Sequence, residues 1–360
     1  MAQVLFIIDV PTPYRNPVLN HLHREGLDVL ALYHWSTAGR GWGSVVPDHP
    51  HQILSGGRIA RCATAIRAVR DPDLKVLCCY GYARPANVLA VLLARLRGVR
   101  IVLRSDSNWL REQRRPRYRR WAKRLLLRAI FGRRARVWTV GAVNDRYWAE
   151  YGFPDRHLIP YGLPHPPVAS PPEATAFRAR HDLGAGFVVL FVGRLEQIKG
   201  VDTLLAAFRA TDDPDSRLVI VGNGPTRSIV DHAAAADPRI RVLGALPQEE
   251  LGPVYAAADL FVLPSRSEAW GLVVAEAQAN GVRVAVSDVV GCHPDLVTPD
   301  NGWVFPVDDV ERLTGVLAEA RALKSANRIR IPPTPAYHAG PAMLVELAAA
   351  GVRPRPLSRH

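Results

Sequence analysis

The chain has 360 residues, more than one hydrophobic core usually organises, so two domains are expected. Its composition, with 48% hydrophobic and 22% charged residues, is typical of a globular protein, and no run of about 18 apolar residues could cross a bilayer. The formal net charge of +13 raises the question of an anionic partner. The first residues, MAQVLFIIDV, lack a basic segment and a cleavage site, so we expect no secretory signal and a cytoplasmic location.

Short apolar runs alternate with helix-length segments in the first part of the chain. The runs that read as strands span residues 4–9, 27–33, 75–81, 100–106, 137–141 and 157–162. Strands buried on both faces have unbroken apolar sequences, which is typical of a parallel sheet covered by helices. We therefore expect residues 1–165 to form a Rossmann-like α/β domain.

A basic segment lies inside this first domain. From Arg111 to Arg136 twelve Lys and Arg residues stand against Glu112 alone. Apolar residues at helical spacing predict a stripe beneath a basic face, and they are Trp121, Leu125, Leu126, Ile130 and Phe131. Such a helix suits peripheral contact with an anionic membrane through 111–136, at the inner membrane face, or is simply a solvated face over a packed helix; both interpretations stay open. No nucleic-acid recognition motif accompanies it, so a basic nucleic-acid-binding protein is a remote alternative, and we expect no nucleic-acid partner.

Prolines crowd the chain where the first domain ends, at positions 164, 166, 167, 171 and 172, and they predict an irregular linker over 166–180. The alternation restarts with apolar runs at 187–193, 217–222, 240–244, 260–265 and 282–287, which predict a second Rossmann-like domain over 181–325. The final segment, 326–360, contains a helix that we expect to cross back to the first domain. The predicted architecture is two doubly wound parallel-sheet domains facing a cleft, where ligands bind at the carboxyl ends of strands.

Several enzyme classes lose support because their signatures are missing. The segment from Gly222 to Arg227, GNGPTR, has two glycines after a strand but arginine in place of the third, which disfavours a nicotinamide dehydrogenase. No phosphate-binding loop of the G-x-x-x-x-G-K-[ST] type occurs. The usual metal and serine hydrolase motifs are absent as well.

Two cations follow the first strand of the second predicted domain. Arg194 comes directly after Gly193, and Lys199 lies just before a predicted helix start near Gly200. A guanidinium and an ammonium beside a helix N-terminus can neutralise a diphosphate without a metal, so no metal is expected. Each residue alone reads as ordinary surface charge, but the pair favours phosphate binding.

Two carboxylates lie eight positions apart around a Trp-Gly pair, in SRSEAWGLVVAEAQANG. Glu268 falls in the loop after a strand, and Glu276 falls inside a helix that we expect to begin near Gly271. Eight residues slightly exceed two helical turns, so both carboxylates are expected to face the cleft, on the order of 10 Å apart. The backbone of Gly271 and the amide of Leu272 can approach an anion at the helix N-terminus. Alone, Glu276 reads as an ordinary helix acid.

These segments, taken together, resemble a known family. They are E-x7-E (Glu268 and Glu276), G-R-L-x-x-x-K-G (193–200), V-G-x-G-P (221–225) and YAAADLFVLPS (255–265). The chain resembles the retaining nucleotide-sugar glycosyltransferases of the GT-B fold, family 4, also called glycosyltransferase group 1. The match is specific over residues 187–310.

The resemblance implies roles for individual residues. Arg194 and Lys199 would contact the donor diphosphate, Glu276 the ribose, and Glu268 the transferred sugar. It implies further donor contacts, and these involve Gly193, Gly222, Asn223, Trp270, Gly271 and Leu272.

The first domain departs from the family pattern. PTPYRNP replaces the glycine-rich loop that many members carry after the first strand, and it offers Tyr14 and Arg15 as substrate-side candidates, which could equally form a turn that caps the next helix. Ser105 and Asp106 stand where many members place a histidine near the donor sugar. Asp106 is also the one candidate for an enzyme nucleophile.

The implied function is a retaining glycosyltransferase of hexosyltransferase type, which moves a sugar from a nucleotide-diphosphate sugar to a hydroxyl acceptor on a glycan, a lipid-linked compound or a natural product. We favour front-face attack, in which Arg194 and Lys199 stabilise charge on the leaving diphosphate. A sugar-nucleotide epimerase or a phosphorylase of the same fold is the alternative. Whether donor consumption requires an acceptor distinguishes them.

Overall fold

The computed structural model describes residues 2–36, 46–162, 166–334 and 339–354. The described chain divides into two compact units. The first contains residues 2–162, apart from the gap after residue 36, together with 339–354, and the second contains 166–334. Residues 163–165, where the sequence placed the end of the first domain, lie outside the described residues, as do 335–338 in the final segment.

Each unit is built on one parallel sheet. The first sheet contains β1 (Val4–Ile8), β2 (Val29–Tyr33), β3 (His51–Ile53), β4 (Val76–Tyr80), β5 (Arg100–Arg104), β6 (Arg136–Thr139) and β7 (Arg156–Leu158), in the order β3-β2-β1-β4-β5-β6-β7. The second contains β8 (Val188–Val192), β9 (Arg217–Val221), β10 (Ile240–Gly244), β11 (Leu260–Leu263), β12 (Arg283–Ser287) and β13 (Gly302–Phe305), in the order β10-β9-β8-β11-β12-β13. Both orders are doubly wound, which confirms the predicted fold class.

Helices connect the strands. The first unit has α1 (Asn16–Arg24), α2 (Arg58–Val69), α3 (Pro85–Leu96), α4 (Trp109–Glu112), α5 (Arg117–Phe131) and α6 (Ala142–Glu150). The second has α7 (Pro171–Arg180), α8 (Val201–Arg209), α9 (Arg227–Ala236), α10 (Leu251–Ala257), α11 (Leu272–Ala279), α12 (His293–Leu296) and α13 (Val310–Ser325). The last helix, α14 (Gly340–Ala349), packs against α1 in the first unit. None of the described helices combines the length and apolar character needed to span a membrane.

The unbroken apolar runs have a direct structural cause in β1. Leu5 and Ile7 enter the hydrophobic core on one face of the first sheet, whereas Val4, Phe6 and Ile8 enter the core on the other face. Because both faces are covered, successive residues must all be apolar. The same reasoning explains β8, whose residues are all buried.

The structure corrects the predicted linker. Residues 171–180 form α7 rather than an irregular segment. Proline at the first helical positions costs no hydrogen bond, because those N–H groups have no partner within the helix. Ser170 and Glu173 add a capping box, in which the Ser170 backbone N–H donates to Glu173 Oε2 at 2.7 Å. The S-x-x-E spacing of this capping box was present in the sequence, but the linker was predicted from the prolines alone.

The basic segment also differs from its prediction. Ile130 and Phe131 are buried on the core, but Trp121, Leu125 and Leu126 are exposed. The predicted stripe therefore does not lie on one packed face. The reason is Leu127, which is fully buried and fixes the side of α5 that faces the core.

Candidate functional site

The candidate site in the second unit lies where the strand order reverses. β8 pairs with β9 on one side and β11 on the other, so the loops that follow these strands meet at one edge of the sheet. This is the topological switch point, where open parallel sheets bind ligands. The predicted candidates Gly193, Arg194 and Lys199 follow β8, while Glu268 follows β11.

Glycines allow these loops to touch through their backbones. Gly222 has a φ of +147°, and a Cβ there would lie 1.8 Å from the carbonyl oxygen of Gly193. Gly200 has a φ of +65°, and its Cβ would lie 2.1 Å from the carbonyl oxygen of Pro264. Side chains at these two positions would separate the loops, so the glycines set the spacing of the site.

Backbone hydrogen bonds fix the loop after β8 to both neighbours. The Leu195 N–H donates to the Asn223 carbonyl at 3.0 Å, and the Gly193 N–H donates to the Val221 carbonyl at 2.9 Å. On the other side, the Arg266 N–H donates to the Ile198 carbonyl at 2.8 Å. The candidates Gly193, Gly222 and Asn223 thus belong to one rigid backbone cluster.

Lys199 and Glu268 meet in an ion pair. The Lys199 ammonium donates to Glu268 Oε2, and both side chains are mostly buried. They are 69 positions apart in the chain, and the glycine contact between the two loops brings them together. The structure therefore joins two residues that the sequence argument assigned to the diphosphate and the sugar.

Arg194 lies at the same edge but in a different environment. Its guanidinium contacts Glu196, with Nε donating to Oε1 at 2.7 Å, and about half of the side chain is exposed. Sequence reasoning missed Glu196 as a partner. The two-residue spacing was visible, but side-chain direction in an irregular loop does not follow from spacing.

Backbone hydrogen bonds fix the segment from Glu268 to Gly271. The Gly291 N–H donates to the Glu268 carbonyl and the Cys292 N–H donates to the Trp270 carbonyl, both at 3.0 Å. Trp270, predicted to contact substrate, is 7% exposed. Gly271 has a φ of +101°, and a Cβ there would press on Leu263 and Val290 side chains at 3.2 Å. Leu272 then begins α11, as the sequence predicted to within one residue.

Glu276 is less open than the sequence argument expected. It is 4% exposed, and the Tyr255 hydroxyl donates to Oε2 at 2.7 Å. Burial raises the pKa of Glu276, while the Tyr255 hydrogen bond lowers it in part. That Glu276 faces the cleft together with Glu268 stays a prediction. Tyr255 was missed because it lies on α10, 21 positions away.

The first unit brings Arg15 and Asp106 together around Tyr161. Burial would lower the pKa of Arg15, but Tyr161 and Asp106 outweigh it, and the pKa is raised. Arg15 lies over the Tyr80 ring, with Cζ 5.4 Å from its centroid. This cluster also contains Tyr80, Arg104 and Tyr161, which no sequence motif had indicated.

The other two candidates of the first unit shape loops. Ser105 donates to the Ser107 hydroxyl at 2.9 Å and so orders the turn after β5. Tyr14 lies half-buried before α1, and the turn there is closed by Thr12, whose side chain accepts from the Arg15 N–H at 3.2 Å. Arg15 is the N-cap residue of α1, but its side chain makes no capping hydrogen bond to the helix.

Part of the second unit matches a family model. Residues 186–320 match the family model described as Glycosyl transferases group 1. Lys199, Glu268 and Glu276 all lie inside the matched segment.

Curated relatives share part of this chain. D-inositol 3-phosphate glycosyltransferase from Streptosporangium roseum is 42% identical over 166 residues, which are 42% of this chain and 38% of the relative. Sulfoquinovosyl transferase SQD2 from Arabidopsis thaliana is 34% identical over 130 residues, 34% of this chain and 24% of the relative. The matched region spans less than half the length of these relatives.

Solved structures share the fold over nearly the whole length. Anabaena Alr3699/HepE in complex with UDP aligns with a TM-score of 0.72 and 14% identity over 97% of this chain and 100% of that one. WaaG, a glycosyltransferase involved in lipopolysaccharide biosynthesis, aligns with a TM-score of 0.68 and 16% identity over 91% and 92% of the two chains. These similarities identify the glycosyltransferase GT-B fold, as the resemblance implied.

Proposed function

We propose that the chain is a retaining glycosyltransferase that moves a sugar from a nucleotide-diphosphate sugar to a hydroxyl acceptor without a metal. The observation that carries the proposal is the Lys199–Glu268 pair at the switch point of the group 1 region. Support for the donor class comes from Alr3699/HepE, whose structures hold UDP and UDP-glucose.

The pair offers complementary chemistry at one place. An ammonium group has three donors, and Glu268 takes one of them among the described residues, so Lys199 has capacity for diphosphate oxygens. Glu268 is an acceptor for sugar hydroxyls. We assign Lys199 to the leaving diphosphate, with Arg194 as a second cation, and Glu268 to the donor sugar. Glu276 is assigned to the ribose, and reaching it requires a ligand group that competes with the Tyr255 hydroxyl.

In the proposed mechanism the acceptor hydroxyl attacks the anomeric carbon on the face that the diphosphate leaves. The bond from carbon to the diphosphate oxygen breaks, and a departing phosphate oxygen takes the hydroxyl proton. Positive charge fixed near that oxygen stabilises the transition state more than the ground state. The protein thus contributes by holding Lys199 and Arg194 near the departing phosphate oxygen. The configuration is retained because the acceptor attacks the face that the leaving group leaves.

Binding identifies the donor first. In a thermal-shift assay with a panel of nucleoside diphosphates and nucleotide sugars, the compound with the matching base and sugar should raise the melting temperature. The matching donor is then incubated with candidate acceptors, and NMR of the product reports the anomeric configuration. Donor consumption without an acceptor would favour the epimerase or phosphorylase alternative, and an inverted product would contradict retention.

Metal independence has its own test. Among the described residues, no group of three or more His, Cys, Asp or Glu side chains could hold a metal ion. Transfer should continue at an unchanged rate in excess EDTA. A rate that EDTA abolishes and Mg²⁺ or Mn²⁺ restores would show that the donor diphosphate needs a metal.

A further inference from the structure

Helix α5 has two apolar faces, and the core uses only one of them. Leu127, Ile130 and Phe131 are buried. Tyr118, Trp121 and Leu125 recur at spacings of three and four residues and therefore share a face, where they are 65%, 65% and 47% exposed. Leu126, beside them, is 58% exposed. We call Tyr118, Trp121, Leu125 and Leu126 the outer apolar face.

Arginines surround the outer apolar face, and the acidic residue of the segment points away from it. Glu112 is 6% exposed, accepts from the Tyr151 hydroxyl at 2.6 Å and pairs with Lys123 at 3.1 Å. Lys123 is turned inward as well, near the rings of Tyr147 and Tyr151. The outward charge of α5 therefore comes from arginines, and the exposed ones are Arg117, Arg119 and Arg124.

A groove of about 300 Å³ runs beside this face. Trp109, Arg117, Arg120 and Arg124 line it, with the Glu150 carboxylate as an acidic member of the lining. Trp109 is 5% exposed, yet its ring N–H makes no hydrogen bond in the described chain, and neither does Arg120 Nε. Buried donors normally have acceptors, so two unsatisfied ones beside arginines indicate a site for an anionic oxygen group.

The orientation of α5 is fixed by contacts at its C-terminal end. Arg95 Nη1 donates to the carbonyls of Ala129 and Ile130, the latter at 2.8 Å. Arg128 Nη2 donates to the Gly152 carbonyl at 3.5 Å. The outer apolar face therefore cannot rotate into the core, and its exposure is a property of the folded first unit.

We propose that the outer apolar face of α5 docks on an anionic phospholipid bilayer, with a lipid phosphate in the groove of Trp109 and Arg120. Aromatic and aliphatic side chains within a ring of arginines match the interface of headgroups and acyl chains, where both kinds of group are stabilised. Nucleic acid would use the arginines and Trp121 but gains nothing from Leu125 and Leu126, which cannot stack on bases or contact phosphates favourably. The proposal is independent of the donor chemistry.

Co-sedimentation of the full chain with vesicles tests the proposal. Vesicles of phosphatidylcholine with roughly one-third phosphatidylglycerol should bind the protein, and added salt should weaken binding, whereas phosphatidylcholine alone should bind much less. The double variant Leu125→Gln/Leu126→Gln should lower the partition coefficient roughly tenfold, because less apolar surface inserts. A matched control is Ile59→Gln/Leu96→Gln, which changes two side chains that are 87% and 86% exposed elsewhere in the first unit and should bind like the wild type.

The groove needs a separate variant. Trp109→Phe keeps the buried ring but removes the N–H, and Arg120→Gln removes the cation; each should reduce the preference for anionic vesicles about two- to fivefold. Circular dichroism confirms that each variant is folded. No binding to anionic vesicles, or an equal loss in the Ile59/Leu96 control, overturns the proposal. Preference for duplex DNA over vesicles, with no effect of the leucine changes, would overturn it in favour of a nucleic-acid partner.

Discussion

Lys199 carries the sharpest prediction at the scale of single residues. Lys199→Ala removes the ammonium assigned to the leaving diphosphate and should lower kcat/KM by a factor equivalent to about 2 to 4 kcal/mol, mainly through kcat. Initial rates with the donor found by thermal shift measure the effect. Lys75→Ala is the matched control, because Lys75 contacts the Gly351 carbonyl in the first unit, far along the chain from the site. An unchanged rate in Lys199→Ala would remove Lys199 from the mechanism.

His49 gives a pH-dependent prediction at the same scale. Its Nε2 lies 2.9 Å from the Tyr33 hydroxyl and its Nδ1 lies 2.6 Å from Asn20 Oδ1. Burial lowers the pKa of His49 to about 4, whereas the unfolded value is near 6.5. The unfolded chain therefore binds the proton first, and the stability that the neutral ring contributes is present above about pH 6.5 and is lost as the pH falls toward 4.

Urea unfolding at a series of pH values measures this effect. The free energy of unfolding of the wild type should fall between about pH 6.5 and 4, with up to about 3 kcal/mol attributable to His49. His49→Gln cannot titrate and should show a flatter curve over that window. His232→Gln changes an exposed histidine of the second unit and should follow the wild type. Parallel curves for the wild type and His49→Gln would contradict the assignment.

At the scale of elements, Asp259 joins three parts of the second unit. Its side chain accepts from Arg178 of α7 at 2.8 Å, from Lys324 of α13 at 2.6 Å and from the N–H of Val188, the first residue of β8, at 2.9 Å. The residue is 3% exposed. One carboxylate therefore fixes two helices to the strand that leads into the candidate site.

Asp259→Ala should destabilise the second unit by about 3 to 5 kcal/mol, because two cations lose their buried partner. The thermal unfolding midpoint, compared with that of the wild type, measures the loss. Asp231→Ala is the control, since Asp231 pairs with Arg227 on an exposed surface and such pairs contribute about 0 to 1 kcal/mol. Equal midpoints for the two variants would show that Asp259 does not have this structural role.

The sequence predicted elements well where one rule dominates. Long apolar runs such as β1 and β8 indicated buried strands, and Gly193 at the end of the β8 run located a loop of the site. β3 was not predicted, because it is a three-residue strand with mostly exposed side chains. β13 was also missed, because GWVF is a short apolar run in which Val304 is exposed.

Within the site, motifs predicted positions but not contacts. G-R-L-x-x-x-K-G and E-x7-E identified Lys199 and Glu268, yet their ion pair depends on the loops meeting at Gly200 and Pro264. The contacts of Glu196 and Tyr255 could not be predicted for the same reason, because they depend on tertiary packing and not on sequence spacing. Residues that belong to no motif, such as Arg104, could not be predicted at all.

At the scale of the whole molecule, the chain leaves the first unit, forms the second and returns. Met343 and Leu347 of α14 are buried in the same core as Val18 and Leu22 of α1. Glu346 adds an ion pair with Arg136 of β6 at 2.9 Å. The first unit is therefore completed by residues that follow the second unit in sequence.

Removal of the chain from residue 339 onward should destabilise the first unit by roughly 3 to 6 kcal/mol, the value expected for the loss of two buried apolar side chains. Hydrogen exchange followed by mass spectrometry should show faster exchange in α1 and β6, with α8 and β9 unchanged. Glu346→Gln keeps α14 and should have a much smaller effect. Faster exchange throughout both units would show that α14 supports more than the first.

The return of α14 has a consequence for synthesis on the ribosome. Residues 166–334 form a continuous segment and can fold as a unit once they have emerged. The first unit, in contrast, lacks α14 until the end of synthesis. Until α14 has left the ribosome, the surface of α1 that receives Met343 and Leu347 is uncovered in the nascent chain. A chaperone that holds unfolded chains is thus expected to bind ribosome complexes stalled before α14 more strongly than the released chain.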